Sequence, residues 1–219
     1  MQKHITFLHT SPVHVDTFER LVKAIDSSVK VEHVVSEVLL ADAQRDGADD
    51  PSLITRVHKT MTEAATTGAS IVVCTCSTIG GAAERTPTDG HFTPVRIDRA
   101  MADRAVKLGP RILVVAALES TLGPTTKLLE ESAISLGAMI EIEHLVAEGA
   151  WSHFLHGDRT AYIEAVASAV NAAAPHAANV IVLAQASMSA AAEALGNLDI
   201  EVLSSPSLGV QSVVAQFHR

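Results

Sequence analysis

The stretch IVVCTCSTIGGAAE, Ile71 to Glu84, passes from a run of apolar, largely β-branched residues straight into a hydroxyl pair, two glycines and a helical pattern. A short apolar run of this kind reads as a strand buried on both faces, and the residues after it read as a turn and a helix from Gly80 to Glu84. The stretch also holds both cysteines of the chain, Cys74 and Cys76. In parallel sheets flanked by helices, ligands bind at the carboxyl ends of strands. The order of the residues therefore poses a choice: two small core thiols, or a thiol set at the mouth of a site.

Similar runs recur on either side. Ile5 to Leu8, Val31 to Val35, Ile71 to Cys76, Pro94 to Ile97, Ile112 to Ala117, Ile140 to Val146, Val180 to Ala184 and Ile200 to Leu203 read as strands. Between them the spacing predicts helices over His14–Ile25, Ser52–Thr67, Asp98–Lys107, Pro124–Leu136, Arg159–Ala174 and Ser189–Leu195, with a last one over Val210–Phe217. Regular alternation of strand and helix implies an α/β fold with parallel sheets.

The chain also echoes itself. VEHVV at Val31 returns as IEHLV at Ile142, SIVVCTCST at Ser70 as NVIVLAQAS at Asn179, and PVRI at Pro94 as EVLS at Glu201. A nearly constant offset across three strands predicts a duplicated unit. The expected architecture is two pseudo-symmetric lobes, each a central parallel sheet flanked by helices, facing each other across an active-site cleft. The N-terminal lobe is expected to comprise residues 1–97 together with 205–219, the C-terminal lobe residues 98–204.

Bulk composition narrows the function. The chain has 219 residues, 47% of them hydrophobic but only 3% aromatic, with a net charge of −9 from 16 basic and 25 acidic residues. No cluster of Lys or Arg supplies the electrostatic footprint of a nucleic-acid binder. The N-terminal MQKHITFLHTSPVH is unlike a signal peptide, and no run of 18 apolar residues follows, so a cytoplasmic protein without a membrane partner is expected. Cysteines spaced i, i+2 along a strand do not reach disulfide geometry, which leaves two free thiols. The 11 histidines include no H-x-x-x-H or H-E-x-x-H pair, so no metal is expected. IGGAAE lacks the G-x-G-x-x-G spacing of a dinucleotide site, and no G-x-S-x-G elbow is present.

The strand ends carry the chemistry. After the first strand come His9, Thr10, Ser11 and Pro12, and after its counterpart Glu119, Ser120, Thr121, Leu122, Gly123 and Pro124. Both are hydroxyl-bearing turns that lead into a helix, where Ser and Thr cap the chain and free N–H groups bind anions such as carboxylates. After the third strand come Cys76, Ser77 and Thr78, and in matching register Gln185, Ala186 and Ser187. A cysteine at a helix N-terminus sits in a positive field that favours its thiolate, able to take a proton or attack carbon. Cys74, two residues deeper in the strand, reads as a core thiol.

VVCTCSTIGG, IVLAQASM and the two-unit layout resemble the aspartate/glutamate racemase superfamily, which includes hydantoin racemases, maleate isomerases and arylmalonate decarboxylases; the likeness spans essentially the whole chain. The resemblance implies a cofactor-independent racemase or isomerase of a small carboxylic acid, free of metal and pyridoxal phosphate, acting at the carbon beside the carboxylate. Cys76 matches the first cysteine of that family, with Ser77 and Thr78 as carboxylate ligands. Thr10, Ser11, Ser120 and Thr121 match turns able to donate to the same carboxylate. The family's second cysteine falls at Gln185, which cannot exchange a proton, and Ser187 is a poor base without a partner. Two-base racemisation is thereby called into question. A single-cysteine decarboxylase or cis–trans isomerase of a dicarboxylate stands as one alternative, a non-catalytic carboxylate binder as another. A cysteine hydrolase would require a histidine within reach of Cys76. His9, His14, His153 and His156 are the histidines to examine as a replacement base, and a homo-oligomer is expected.

Three polar stretches read as loops: Arg45 to Ser52, with Asp50 or Ser52 capping the next helix beside Pro51; Thr86 to Pro94; and Gly149 to Asp158, which carries the only tryptophan. Trp151, Phe154 and Leu155 are candidates for a lid, a subunit contact or plain packing.

Overall fold

A computed structural model of the protein describes residues 3–173, 177–196 and 198–218. The chain divides into two compact units, Met1–Asp98 with Pro206–Arg219, and Arg99–Ser205. Unit 1 runs β1 (His4–His9), a 3-10 turn (Pro12–His14), α1 (Val15–Ile25), β2 (Lys30–Val35), α2 (Glu37–Asp46), α3 (Pro51–Ala65), β3 (Ile71–Cys74), α4 (Ser77–Glu84) and β4 (Thr93–Arg96). Unit 2 follows with α5 (Arg99–Leu108), β5 (Arg111–Ala116), a 3-10 turn (Glu119–Thr121), α6 (Leu122–Leu136), β6 (Glu141–Val146), α7 (Ala150–Leu155), α8 (Arg159–Ala173), β7 (Val180–Leu183), a 3-10 segment (Ala186–Ala190), α9 (Ala191–Ala194) and β8 (Glu201–Ser204). Helix α10 (Ser205–Ala215) then returns to unit 1.

Each unit holds one four-stranded parallel sheet, ordered β2-β1-β3-β4 in the first and β6-β5-β7-β8 in the second. The internal echo extends to register: Ile5 pairs with Val31 and Ile71, as Ile112 pairs with Ile142 and Val180. All four residues of β3 and of β7 are buried, which is why these strands are uninterrupted apolar runs. The edge strands β2 and β6 mix polar and apolar residues and are only partly buried. In unit 1, Leu8, Val72 and Cys74 pack on one side of the sheet with Leu39 of α2, Leu53, Val57 and Met61 of α3 and Ile79 of α4. In unit 2, Leu113, Val115, Ile181 and Leu183 pack with Tyr162, Val166 and Val170 of α8.

All eight expected strands are present, with ends displaced by one or two residues. Asp50 is the cap of α3: its carboxylate accepts from the Leu53 N–H at 2.9 Å, with Pro51 beside it at the first turn. The last residue of the helix expected over Arg159–Ala174 lies outside the described residues.

Helix α10 begins at Ser205, five residues before the expected Val210, and two further helices depart from the sequence reading. Much of the stretch read as a loop from Gly149 to Asp158 is α7, six residues long and thus too short to show a helical period. It holds because Trp151 and Phe154 stack with ring centroids 4.6 Å apart and Phe154 lies against Tyr162 of α8. The aromatic pair is packing within unit 2, while Leu155 is exposed. Helix α2 was not expected at all. Leu39, Asp42 and Ala43 are its only buried residues, a stripe narrowed further by the charge at Asp42, which receives Arg45 and Arg56 at 2.7 and 2.9 Å.

Candidate active site

At the carboxyl end of the first sheet, β3 stops at Cys74, and the Thr75 N–H donates to the Leu8 carbonyl at 3.0 Å, so the turn after β3 stays tied to the end of β1. Cys76 then occupies the N-cap position of α4 in extended conformation, partly exposed, with no side-chain capping hydrogen bond. The helix start therefore presents a sulfur where an oxygen acceptor usually stands. Thr10 and Ser11 follow the adjacent strand, Thr10 buried and Ser11 partly exposed at the cap of its 3-10 turn. Ser77 and Thr78 form the first turn of α4 and are each only 4% exposed. Parallel pairing of β1 with β3 thus brings Thr10, Ser11, Cys76, Ser77 and Thr78 to one end of one sheet.

The two thiols differ sharply. Cys74 is fully buried, its Sγ directed at the Cys76 carbonyl at 3.6 Å, and burial, reinforced by neighbouring Cys76, pushes its thiol well above the ordinary range. It is a core residue.

Beneath α4 lies a feature the sequence reading missed. Arg96, at the end of β4, donates from Nε and Nη2 to the two carboxylate oxygens of Asp98 at 2.7 and 3.0 Å, and from Nη2 to the Ser77 carbonyl at 3.4 Å. Both side chains are buried. The glycine pair of the opening stretch makes room for it: a Cβ at Gly80 would stand 3.1 Å from Arg96 Nε, and one at Gly81 3.4 Å from Nη1. These glycines let the helix bearing Ser77 and Thr78 lie on a guanidinium. An isolated Arg in a short edge strand gave no hint of this in the sequence.

A second missed feature begins at His9, which is completely buried. Its Nδ1 lies 2.8 Å from the Thr75 hydroxyl and its Nε2 2.9 Å from His33 Nδ1, while His33 Nε2 lies 3.1 Å from a Glu19 carboxylate oxygen. Burial, then proximity to His33 and His14, lowers the pKa of His9 to about 3; burial lowers that of His14 to about 4. His153, on α7, and His156, at its C-terminal cap, are exposed and belong to the other unit. Among the described residues no three His, Cys, Asp or Glu side chains converge as a metal-binding group.

The corresponding strand ends of unit 2 gather Ser120, Thr121, Gln185 and Ser187. Gln185 stands as far beyond Val180 as Cys76 does beyond Ile71, and each caps the following helical segment. Gln185 Oε1 accepts from the Ala117 N–H at 2.7 Å, bridging the ends of β5 and β7, while its Nε2 is buried without a protein partner. The Ser120 hydroxyl is likewise buried and unpartnered, and Thr121 is 1% exposed. Ser187 pairs with the Tyr162 hydroxyl at 2.8 Å; burial pushes that phenol up to about 12, so it remains a neutral partner. No helix among the described residues is long and apolar enough to cross a membrane.

No family model matches the chain, and no curated protein matches it in sequence. Solved structures do. Aspartate racemase from Picrophilus torridus superposes with a TM-score of 0.70 at 13% identity, covering 98% of this chain and 94% of that one. The fold is that of the aspartate/glutamate racemases. A glutamate racemase isoform from Bacillus anthracis gives a TM-score of 0.71 at 13% identity over 99% of this chain and 82% of its own. Allantoin racemase from Pseudomonas fluorescens gives 0.65 at 16% identity, covering 98% and 91%. The racemase fold thus accounts for nearly the whole chain.

Proposed function

We propose that the protein is a cofactor-independent isomerase of the racemase type, acting on the carbon next to the carboxylate of a small acid, with Cys76 as the proton-exchanging group. The observation that carries this reading is the position of Cys76: a partly exposed thiol at the N-cap of α4, level with the hydroxyl turn that follows β1. The positive end of a helix favours an anion there, whether thiolate or substrate carboxylate. Thr10, Ser11, Ser77 and Thr78 are the carboxylate ligands of unit 1; Ser120, Thr121, Gln185 and Ser187 are the polar groups unit 2 offers to substrate. Such chemistry requires neither a metal nor pyridoxal phosphate, because donors already in place stabilise the charge that develops beside the carboxylate.

A second reading has its own support. Both cysteines belong to unit 1, and the position of unit 2 equivalent to Cys76 is Gln185, whose amide cannot deliver a proton to carbon. That favours one-base chemistry: decarboxylation followed by protonation, or cis–trans isomerisation of a dicarboxylate. A pure carboxylate binder would keep the same ligands and make no use of the thiol.

Alkylation with iodoacetamide, followed by peptide mass spectrometry, tests the role of Cys76. Cys76 should be modified and Cys74 spared, and a panel of small mono- and dicarboxylates should contain at least one that protects Cys76 at saturation. Equal labelling of the two thiols, or saturable carboxylate binding that leaves Cys76 labelling unchanged, would count against it.

A further inference from the structure

The chain of hydrogen bonds from Glu19 to Thr75 lies on the α1 side of the first sheet, whereas Cys74 and Cys76 pack with α2, α3 and α4 on the other. Its members come from four elements: Glu19 from α1, His33 from β2, His9 from β1 and Thr75 from the turn after β3. Phe7 and Phe18 enclose it, with His9 5.9 and 5.5 Å from their ring centres. The titratable groups facing His9 are His33 and, from the 3-10 turn, His14 at 6.1 Å between ring centres; Glu19 faces His33, and the turn after β3 contributes only the uncharged Thr75.

Donor counting fixes the protons. A carboxylate only accepts, so Glu19 requires a proton on His33 Nε2. In neutral His33 the Nδ1 is then an acceptor, His9 must carry its proton on Nε2, and His9 Nδ1 must accept from the Thr75 hydroxyl. One added proton reverses the sequence. His33, now an imidazolium beside Glu19, donates from both nitrogens; His9 Nε2 accepts; the His9 proton sits on Nδ1 and is donated to Thr75. The Thr75 hydroxyl then turns to the Leu8 carbonyl, 3.2 Å away, which already accepts the Thr75 N–H. The pair has gained one proton from solvent, Thr75 stays neutral, and no covalent bond other than N–H and O–H changes.

We propose that Glu19, His33 and His9 form a single-proton relay that switches the Thr75 hydroxyl between the His9 ring and the Leu8 carbonyl, making Thr75 a pH-responsive positioning residue for the turn that presents Cys76. The charge state of the His33–Glu19 pair, at the partly exposed end, sets the His9 tautomer, and the residue between the two cysteines reports it. Its existence does not depend on the catalytic reading, since the ring tautomers are observable in the free protein.

Nitrogen-15 NMR of histidine-labelled protein between pH 8 and 5 observes it directly, with the His9 ring assigned by His9→Asn. The wild type should show His9 protonated on Nε2 at high pH and on Nδ1 at low pH, with the ring neutral throughout. In Glu19→Gln, the loss of the carboxylate that accepts from His33 Nε2 should displace the changeover downward. A wild-type His9 that keeps one tautomer across the range would overturn the relay, and so would a changeover that Glu19→Gln leaves in place or moves upward.

Discussion

Burial of His9 makes unit 1 sensitive to mild acid, by an amount that follows from the structure. The native ring holds its pKa near 3, against the ordinary 6.5 of an unfolded chain. Between those limits the unfolded state binds a proton that the native state refuses, so stability rises with pH and is lost as pH falls below 6.5. Going from pH 7 to pH 5, this group alone should remove about 2 kcal/mol, or about 30-fold in the opening equilibrium. The only tryptophan lies in unit 2, so its fluorescence does not observe the event. Native-state hydrogen exchange of the β1 and β3 amides, corrected for intrinsic rates, does. His9→Asn removes the titration and retains a polar side chain; its β1 and β3 protection should fall about 30-fold less than the wild type's over the same interval. Asp26 and Asp50, whose carboxyls are held below their usual range by hydrogen bonds, foremost from Lys3 and Ser52 respectively, lose their contribution only at lower pH and equally in both proteins. Parallel loss of protection in wild type and His9→Asn would show that the His9 ring is not the source of the acid sensitivity.

Two further substitutions test the packing around the site. Arg96→Met strands the buried Asp98 carboxylate and should cost about 3–5 kcal/mol, whereas Arg96→Met with Asp98→Leu should recover most of it; urea unfolding followed by circular dichroism distinguishes the two, and a double variant as unstable as the single one would contradict the ion-pair account. Gly209→Ala would stabilise an isolated helix by about 1 kcal/mol. Here its Cβ would overlap the Ile97 carbonyl and lie 2.6 Å from Ile97 Cδ1, so a net loss of about 1–3 kcal/mol is expected, and a stabilised variant would contradict the seating of α10 on the end of β4.

The four central strands were legible because such strands of parallel sheets are apolar on both faces, so their composition alone marks them; the edge strands were read as short apolar runs between turn and helix signals. The repeat was legible because VEHVV at Val31 and SIVVCTCST at Ser70 return as IEHLV at Ile142 and NVIVLAQAS at Asn179 at a nearly constant offset, and the pairing registers carry it into three dimensions. Helix α7 was not, because six residues show no period and its stability comes from the stacking of Trp151 on Phe154 and contact with Tyr162. At the site, the contrast between Cys74 and Cys76 could be read from strand depth. The Arg96–Asp98 pair and the His9–His33–Glu19 chain could not, since each joins residues on different elements or turns on which way a side chain points at a strand end. Gly80 and Gly81 could be seen in the sequence, but their reason, a guanidinium under the helix, could not.

In the proposed function Cys76 exchanges a proton with a carbon acid. Its most direct test is solvent deuterium incorporation, followed by proton NMR, into a panel of amino acids, hydroxy acids and dicarboxylates, comparing wild type with Cys76→Ala. Exchange is expected beside the carboxylate of at least one compound and should be abolished in Cys76→Ala, with configuration retained if a single base operates and scrambled if two do. Exchange that survives Cys76→Ala, or saturable binding of a carboxylate with no exchange in the wild type, would contradict the proposed function.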